Sequence, residues 1–429
     1  MKKLRSLFNR SELLKVGTTN SVSLLIKLIS AFITSKLTAI FLGSTGISLL
    51  GNWRNATELI QKISTGSIHN AVIKYAADSQ TSVQESKAFQ STLFYISCAI
   101  CALVMLTCFI FADAINNFVF IQQNHSDLIR ILAFVLPLYV INIHLQSILK
   151  AYQKFNTVVK INIFGHIFNL LFFITCLYFY GLKGALLSVA IVPCLLGLYS
   201  IYVAYKSNLV FYKFQFSEVK KIYVLGFRDY AFMTIISTLI FPLTYLNIRN
   251  LLVDELSLEA SGYWEAMFRI STLYITFAIS LINLMILPKL ANSKTVKDFR
   301  QIVFQFYKQF MPFFIVGLVL VFFLKGYIVK IVLTKEFLPT TQLFLWQEVG
   351  DLFRVLALVL VAQFHAKKMI WHYVITDVLL AFSLYFSTFL LINQFGLKSA
   401  VIGHTISYAA YFLIILIIFK STLFAHKSI

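Results

Sequence analysis

Long apolar runs recur along almost the whole chain, and no other feature constrains its fold as strongly. A helix rising 1.5 Å per residue crosses roughly 30 Å of hydrocarbon in about twenty residues. Runs of that kind, with allowance for polar faces, fall at 18–41, 47–72, 89–111, 128–149, 158–180, 185–205, 228–252, 261–288, 302–324, 339–362, 370–392 and 399–419. They predict an all-α polytopic membrane protein with twelve transmembrane helices. The connections are short, so no soluble enzyme domain has a place between spans.

Composition agrees. With 59% hydrophobic and 13% charged residues, the chain lacks the quarter or so of charged residues usual in a soluble domain. Its formal charge of +20 sits in short clusters between apolar runs and not in a patch with interleaved aromatics, so no nucleic-acid partner is expected. Met1 to Lys15 is basic and polar, and the run that follows is too long for a cleavable leader, so the first helix is expected to remain as an anchor. All five cysteines lie in apolar segments. Cys98 and Cys101 form a CxxC without partner histidines or acids, which makes packing their expected role and leaves no disulfide framework. No metal-ligand spacing and no cofactor motif is present, and there is no nucleotide-binding GxxxxGK[ST] loop or nucleophile with a base. An enzyme is not expected.

Orientation follows from the lysines and arginines. With the N-terminus cytoplasmic, 24 of the 37 basic residues fall on that side, five fall opposite and eight lie within or near spans. Both termini are therefore expected in the cytoplasm. The run Gly51-Asn-Trp53-Arg54 in the second span is echoed by Gly262-Tyr-Trp264-Glu265 in the eighth. The echo suggests a parallel repeat: an N-terminal six-helix half (1–205), a basic linker (206–227) and a C-terminal six-helix half (228–429).

The spans that carry charge point to function. In the eighth, Glu265, Arg269, Thr272, Thr276, Ser280 and Asn283 fall within about 80° of one another at 100° per residue. A charge in lipid costs a few kcal/mol on insertion scales, so the stripe should face protein or water. It is either the wall of a polar cavity or a structural ion pair turned into the bundle. In the second span Arg54, Glu58, Gln61, Thr65 and His69 share a face, with Lys62 at its edge, and cross-pairing with the eighth span is the structural alternative. Lys27 in the first span has no acidic neighbour in its own helix; it either borrows a carboxylate or meets an anionic ligand. In the tenth span Glu348, Asp351 and Arg354 lie within two turns, as a proton carrier or as a neutralised pair. Asp377 is a lone acid in the eleventh. Pro137, Pro193, Pro242 and Pro312 offer kinks within spans.

Several of these runs resemble one known family. They are Gly46-Ile-Ser-Leu-Leu-Gly51-Asn-Trp-Arg54, Val72-Ile-Lys74-Tyr75, Gly262-Tyr-Trp264-Glu265-Ala-Met-Phe-Arg269-Ile-Ser271, Leu287-Pro288 and, most specifically, Leu345-Trp346-Gln347-Glu348-Val-Gly350-Asp351. They are similar to those of the bacterial lipid-linked oligosaccharide flippases, the O-antigen and enterobacterial common antigen translocases of the multidrug/oligosaccharidyl-lipid/polysaccharide exporter superfamily. The resemblance implies two six-helix bundles around a central polar cavity and alternating access. It also implies transport of an undecaprenyl-pyrophosphate-linked repeat unit to the periplasmic leaflet of the inner membrane.

In that setting Arg54, Lys62, Lys27 and Arg269 are the candidate counter-charges for the pyrophosphate. Gln61, Trp264 and Asn283 suit the sugars. Glu58, Glu265, Glu348, Asp351 and Asp377 are candidate coupling or charge-pair acids. Expected partners are the lipid-linked oligosaccharide, membrane lipids, a monovalent cation or proton, and the polymerase and ligase of the same glycan pathway. Two other readings stand beside this one: a cation-coupled multidrug antiporter of the same superfamily, and a membrane glycosyltransferase or polymerase. The scarcity of acids in the first and seventh spans weighs against the former, and the short loops against the latter.

Overall fold

The computed structural model describes residues 2–120, 123–207, 209, 211–293, 295–367 and 369–424. Lys294, Lys368 and Lys427, part of the orientation count, lie outside the described residues. Among these residues every regular element is helical. The major ones are α1 (Lys2–Ser64), α2 (His69–Asp78), α3 (Val83–Ile110), α4 (Ala112–Val119), α5 (Ser126–Ala151), α6 (Phe155–Lys206) and α7 (Lys221–Glu255). They continue as α8 (Leu258–Leu281), α9 (Leu287–Asn292), α10 (Val296–Val332), α11 (Phe344–Ala366), α12 (Ile370–Phe395), α13 (Ser399–Ile418) and α14 (Lys420–Phe424).

Eight segments are long and apolar enough to cross a membrane, and three of them run for 49 to 60 residues. Each of those three is interrupted at a glycine in the left-handed region: Gly43 (φ 63°), Gly181 (φ 55°) and Gly396 (φ 53°). A side chain at such a φ is strained, so glycine is the residue that lets a long helix bend there. Elsewhere the ends are capped in the ordinary way. Ser82 accepts from the Glu85 amide, Ser257 from that of Ala260, and Thr295 with Asp298 forms a capping box at α10. Large apolar side chains such as Phe134, Phe313 and Phe323 are about three-quarters exposed, as expected where the solvent is hydrocarbon.

Two of the expected spans end differently from the sequence reading. The second was expected to run to residue 72, but α1 stops at Ser64, because Gly66 and Ser67 both take positive φ and turn the chain before α2 begins. His69 therefore sits on a separate helix and does not extend the face of Arg54 and Glu58. The eighth was expected to run unbroken to 288. Instead α8 passes at Ile282 into a π-helical turn, Ile282–Ile286. That wider turn shifts the register of everything after it, so Asn283 leaves the stripe and is exposed.

Contacts group the chain into two compact units, Met1–Thr34 with Asn52–Leu239, and Ser35–Gly51 with Ile240–Ile429. In the first, α5 packs along α6, and α2 and α3 pack against α5. Ile68, Val72, Phe89, Leu93, Tyr223 and Phe227 form a core cluster there, and the Trp53 indole donates to the Leu186 carbonyl at 2.8 Å. In the second, α11 packs against α13, and α12 against α13. The Ser35–Gly51 segment joins this unit through Ser48, whose hydroxyl bonds Ser261 at 2.9 Å, and through Lys36, which donates to the Lys330 carbonyl at 2.7 Å.

Candidate functional site

The charged residues of α7 and α8 come together near the α7–α8 turn. Arg249 and Glu265 lie eight residues to either side of Ser257, so equal rises along two antiparallel helices bring them to the same depth. The Arg249 guanidinium donates to Glu265 Oε2 through Nε at 2.9 Å and Nη2 at 2.6 Å. Arg269, one turn on, donates through Nε to Glu265 Oε1 at 2.9 Å. All three are buried, with Arg249 1%, Glu265 3% and Arg269 9% exposed.

The α8 pair read from the sequence is thus present, but as part of a triad with two cations and one anion. Both oxygens of Glu265 are engaged. Nη1 and Nη2 of Arg269 are buried and find no hydrogen-bond partner among the described residues. A guanidinium with two unused buried NH2 groups is costly unless an anion or acceptor completes it.

Two neighbours shape the triad. A Cβ on Gly51 would stand 2.7 Å from the Glu265 carboxyl carbon and 2.8 Å from Arg249 Nε, so only glycine lets the Ser35–Gly51 segment approach this closely. Trp264 is 3% exposed, and its ring lies 5.5 Å from the Arg249 guanidinium carbon. One part of its surface is therefore already engaged by a cation. Thr272 is exposed and turns its hydroxyl back to the Phe268 carbonyl.

Two turns further along α8 a second polar cluster is built on α11. Asp351 is fully buried and accepts from Ser271 (2.6 Å), Tyr274 (2.5 Å) and Gln347 (3.3 Å), with His404 Nε2 at 3.1 Å. Arg354 stands 4.0 Å away and over the Tyr408 ring. The sequence reading set Asp351 beside Glu348 or Arg354; the Arg354 pair is present but long, and the closer partners are Ser271, Tyr274 and His404 from α8 and α13 with Gln347 from α11 itself. Glu348, 6% exposed, points elsewhere and keeps Oε1 without a partner among the described residues. Asp377 on α12 accepts weakly from Tyr411 at 3.3 Å, leaving Oδ2 unpartnered.

In the first unit the candidate cations are more open. Glu58, read as a companion of Arg54, pairs with Lys62 at 2.5 Å, both side chains being partly exposed. Arg54 is half-buried, Gln61 is buried with its amide nitrogen unpartnered among the described residues, and Lys27 is exposed on the earlier part of α1.

Arg249 and His404 were not singled out in the sequence. For Arg249 a signal existed in its symmetric placement with Glu265 about the turn. For His404, 53 residues beyond Asp351, there was none.

Comparison with known proteins gives a consistent picture. Residues 56–342 match the family model described as polysaccharide biosynthesis protein. The chain is 23% identical to the Lipid III flippase of Escherichia coli (strain K12) over 404 residues, 93% of this chain and 96% of that protein, and equally to the Lipid III flippase of Shigella flexneri. Its fold resembles a solved multidrug resistance MATE family transporter of the MOP superfamily (TM-score 0.76, 12% identity, 94% and 96% of the two chains). It also resembles the lipid II flippase MurJ (TM-score 0.72, 16% identity, 95% and 87%). The resemblance read from the motifs is thereby borne out, and the proteins matched are flippases and transporters, not catalysts.

Proposed function

The chain belongs to the polysaccharide biosynthesis protein family, and on that premise we propose that it is a flippase. It carries an undecaprenyl-pyrophosphate-linked O-antigen or related repeat unit from the cytoplasmic to the periplasmic leaflet of the inner membrane by alternating access. Both termini are cytoplasmic in this reading. Twelve spans follow if the three long segments are divided at Gly43, Gly181 and Gly396 and α8 is added as a charged span. They form halves 1–205 and 228–429 joined by 206–227.

One observation carries the reading. Arg269 offers two buried NH2 groups with no acceptor among the described residues, on a helix where Glu265 is already satisfied by two guanidinium groups. The pyrophosphate, with about two negative charges, is the acceptor such a fork suits. Arg54 and Lys62 are further counter-charges, and Gln61 is a sugar contact. Glu348 and Asp377, each with one unpartnered buried oxygen, are the acids left for a coupling proton or monovalent cation. The polymerase and ligase of the glycan pathway would receive the product.

The test is a deletion strain complemented with native chain or Arg269→Gln at matched protein level. The expected result is that lipid-linked glycan accumulates facing the cytoplasm in the deletion and in Arg269→Gln, and clears with the native chain. Clearance by Arg269→Gln at the native rate would remove Arg269 from the substrate site. No accumulation in the deletion would remove the flippase reading itself.

A further inference from the structure

The first unit contains a cavity of about 680 Å³ that the transport reading does not use. It lies between α3, α5, the last turns of α6 and the chain that follows α6. Its wall runs from Gln90 to Met105 on α3 and from Pro137 to Ile148 on α5, which at 1.5 Å per residue is a groove about 20 Å long. Leu93, Val140, Ile141, Ile148 and Ile201 are typical of its lining. Most polar groups along it are already paired, and only His144 Nδ1 lacks a partner among the described residues. Ser97 bonds His144 at 2.9 Å, and the Gln90 side-chain oxygen accepts the Tyr212 amide at 3.0 Å. Water in so large an apolar space would lack the two to four partners it needs, so the fitting occupant is hydrocarbon.

One end of the groove is built differently. The chain after α6 folds back over α3, where consecutive side chains catch its backbone: Gln90 takes the Tyr212 amide, Ser91 the Gln215 amide (3.2 Å) and Thr92 the Lys220 amide (3.1 Å). Phe214 stacks on Phe94 with ring centroids 4.3 Å apart. At this end stand the exposed Lys213 and the exposed Lys87, whose ammonium lies 5.9 Å from the centre of the Tyr212 ring. Lys220 is already neutralised by Glu85 at 2.5 Å.

We propose that this groove is a binding site for an anionic phospholipid, whose acyl chain lies between α3 and α5 and whose headgroup phosphate meets Lys87 and Lys213. Charge and length both select this occupant. Basic residues at a membrane surface attract anionic lipid. One leaflet's acyl chain reaches about 15 Å, half of the hydrocarbon core, so the groove takes it whole, whereas a polyprenyl chain long enough to cross both leaflets would overrun it. The bound lipid would clamp the 206–227 connection to α3 through Tyr212 and Phe214.

The experiment uses the full chain purified in detergent, with dioleoyl phosphatidylglycerol and dioleoyl phosphatidylcholine as probes. Thermal melting is read together with the rate at which a lipophilic maleimide modifies Cys98. Cys98 lines the groove and is exposed, whereas the other four cysteines are buried. Phosphatidylglycerol is expected to raise the melting midpoint and slow Cys98 labelling at least fivefold, and phosphatidylcholine to do so only at about tenfold higher concentration. In Lys87→Gln with Lys213→Gln the two lipids should become equivalent, with the lipid-free melting midpoint unchanged. Ala102→Trp, which fills the groove, should abolish the phosphatidylglycerol shift; if that variant does not fold, the Cys98 protection in the native chain still decides. Equal potency of the two lipids on the native chain, or unprotected Cys98, would overturn the proposal. So would displacement of phosphatidylglycerol by undecaprenyl phosphate at equal concentration, which would give the groove to the transported lipid.

Discussion

Two buried polar clusters share α8, and they are satisfied to different degrees. Around Asp351 one carboxylate meets hydroxyls from Ser271 and Tyr274, the Gln347 amide and the His404 ring. Around Glu265 one carboxylate meets two guanidinium groups, and the second of these keeps two NH2 groups without an acceptor among the described residues. In the first arrangement the carboxylate is fully engaged, with only Nη1 of the neighbouring Arg354 lacking a hydrogen-bond partner among the described residues, and the cluster ties α8 to α11 and α13. The second retains one positive charge and two donors, which is the form a site takes when part of it is to be supplied by a ligand. The presence of buried charge does not separate structure from function here; the count of donors against acceptors does.

The largest effect should come from Glu265→Ala. It strands two buried guanidinium groups, a loss of about 3–5 kcal/mol where one partner of a buried pair is removed, read as low abundance and a lower melting midpoint in detergent. Changing Glu265→Gln together with Arg269→Gln leaves Arg249 as the one cation, the same residual charge as in the native triad. Abundance should recover while glycan export stays at least tenfold down. Export at the native rate in that double variant would return the triad to a purely structural role and erase the contrast.

Asp351→Ala should come next. It leaves several buried donors without an acceptor, at about 1–3 kcal/mol for each one left unsatisfied, and Asp351→Asn should restore part of the loss by keeping one carbonyl oxygen. A native melting midpoint in Asp351→Ala would show that the cluster is not what fastens α8 to α11.

Gly51→Ala sharpens the comparison from outside. Its Cβ would press on both Glu265 and Arg249, an overpacking cost of about 1–3 kcal/mol. The equivalent probe at the second cluster is Gly350→Ala, which would push on the His404 ring. Both should lower the melting midpoint, but only Gly51→Ala should lower export per folded molecule. The smallest effect on stability is expected from Lys62→Gln, read as an almost unchanged melting midpoint, since its pair with Glu58 is partly exposed and such pairs contribute about 0–1 kcal/mol. A drop of several kcal/mol there would mean that the first unit also holds a structural charge cluster.

The sequence by itself determined the class of protein, an all-helical chain with several membrane-crossing helices, and the Glu265–Arg269 contact. Hydropathy is a local property of about twenty residues, and an i, i+4 pair on a helix needs no knowledge of the rest of the chain. It also carried the family, through short runs such as Trp346-Gln347-Glu348 with Gly350 and Asp351. The tertiary structure decided the rest. Gly66 and Ser67 turned one expected helix into two, and the π-turn at Ile282 took Asn283 off its stripe, because backbone dihedrals at single residues redirect everything beyond them. Arg249 changed a neutral pair into a charged triad, and His404 closed the Asp351 cluster from 53 positions away. Those contacts depend on which helices pack side by side, and a sequence periodic only along its own axis does not encode the neighbour it will meet.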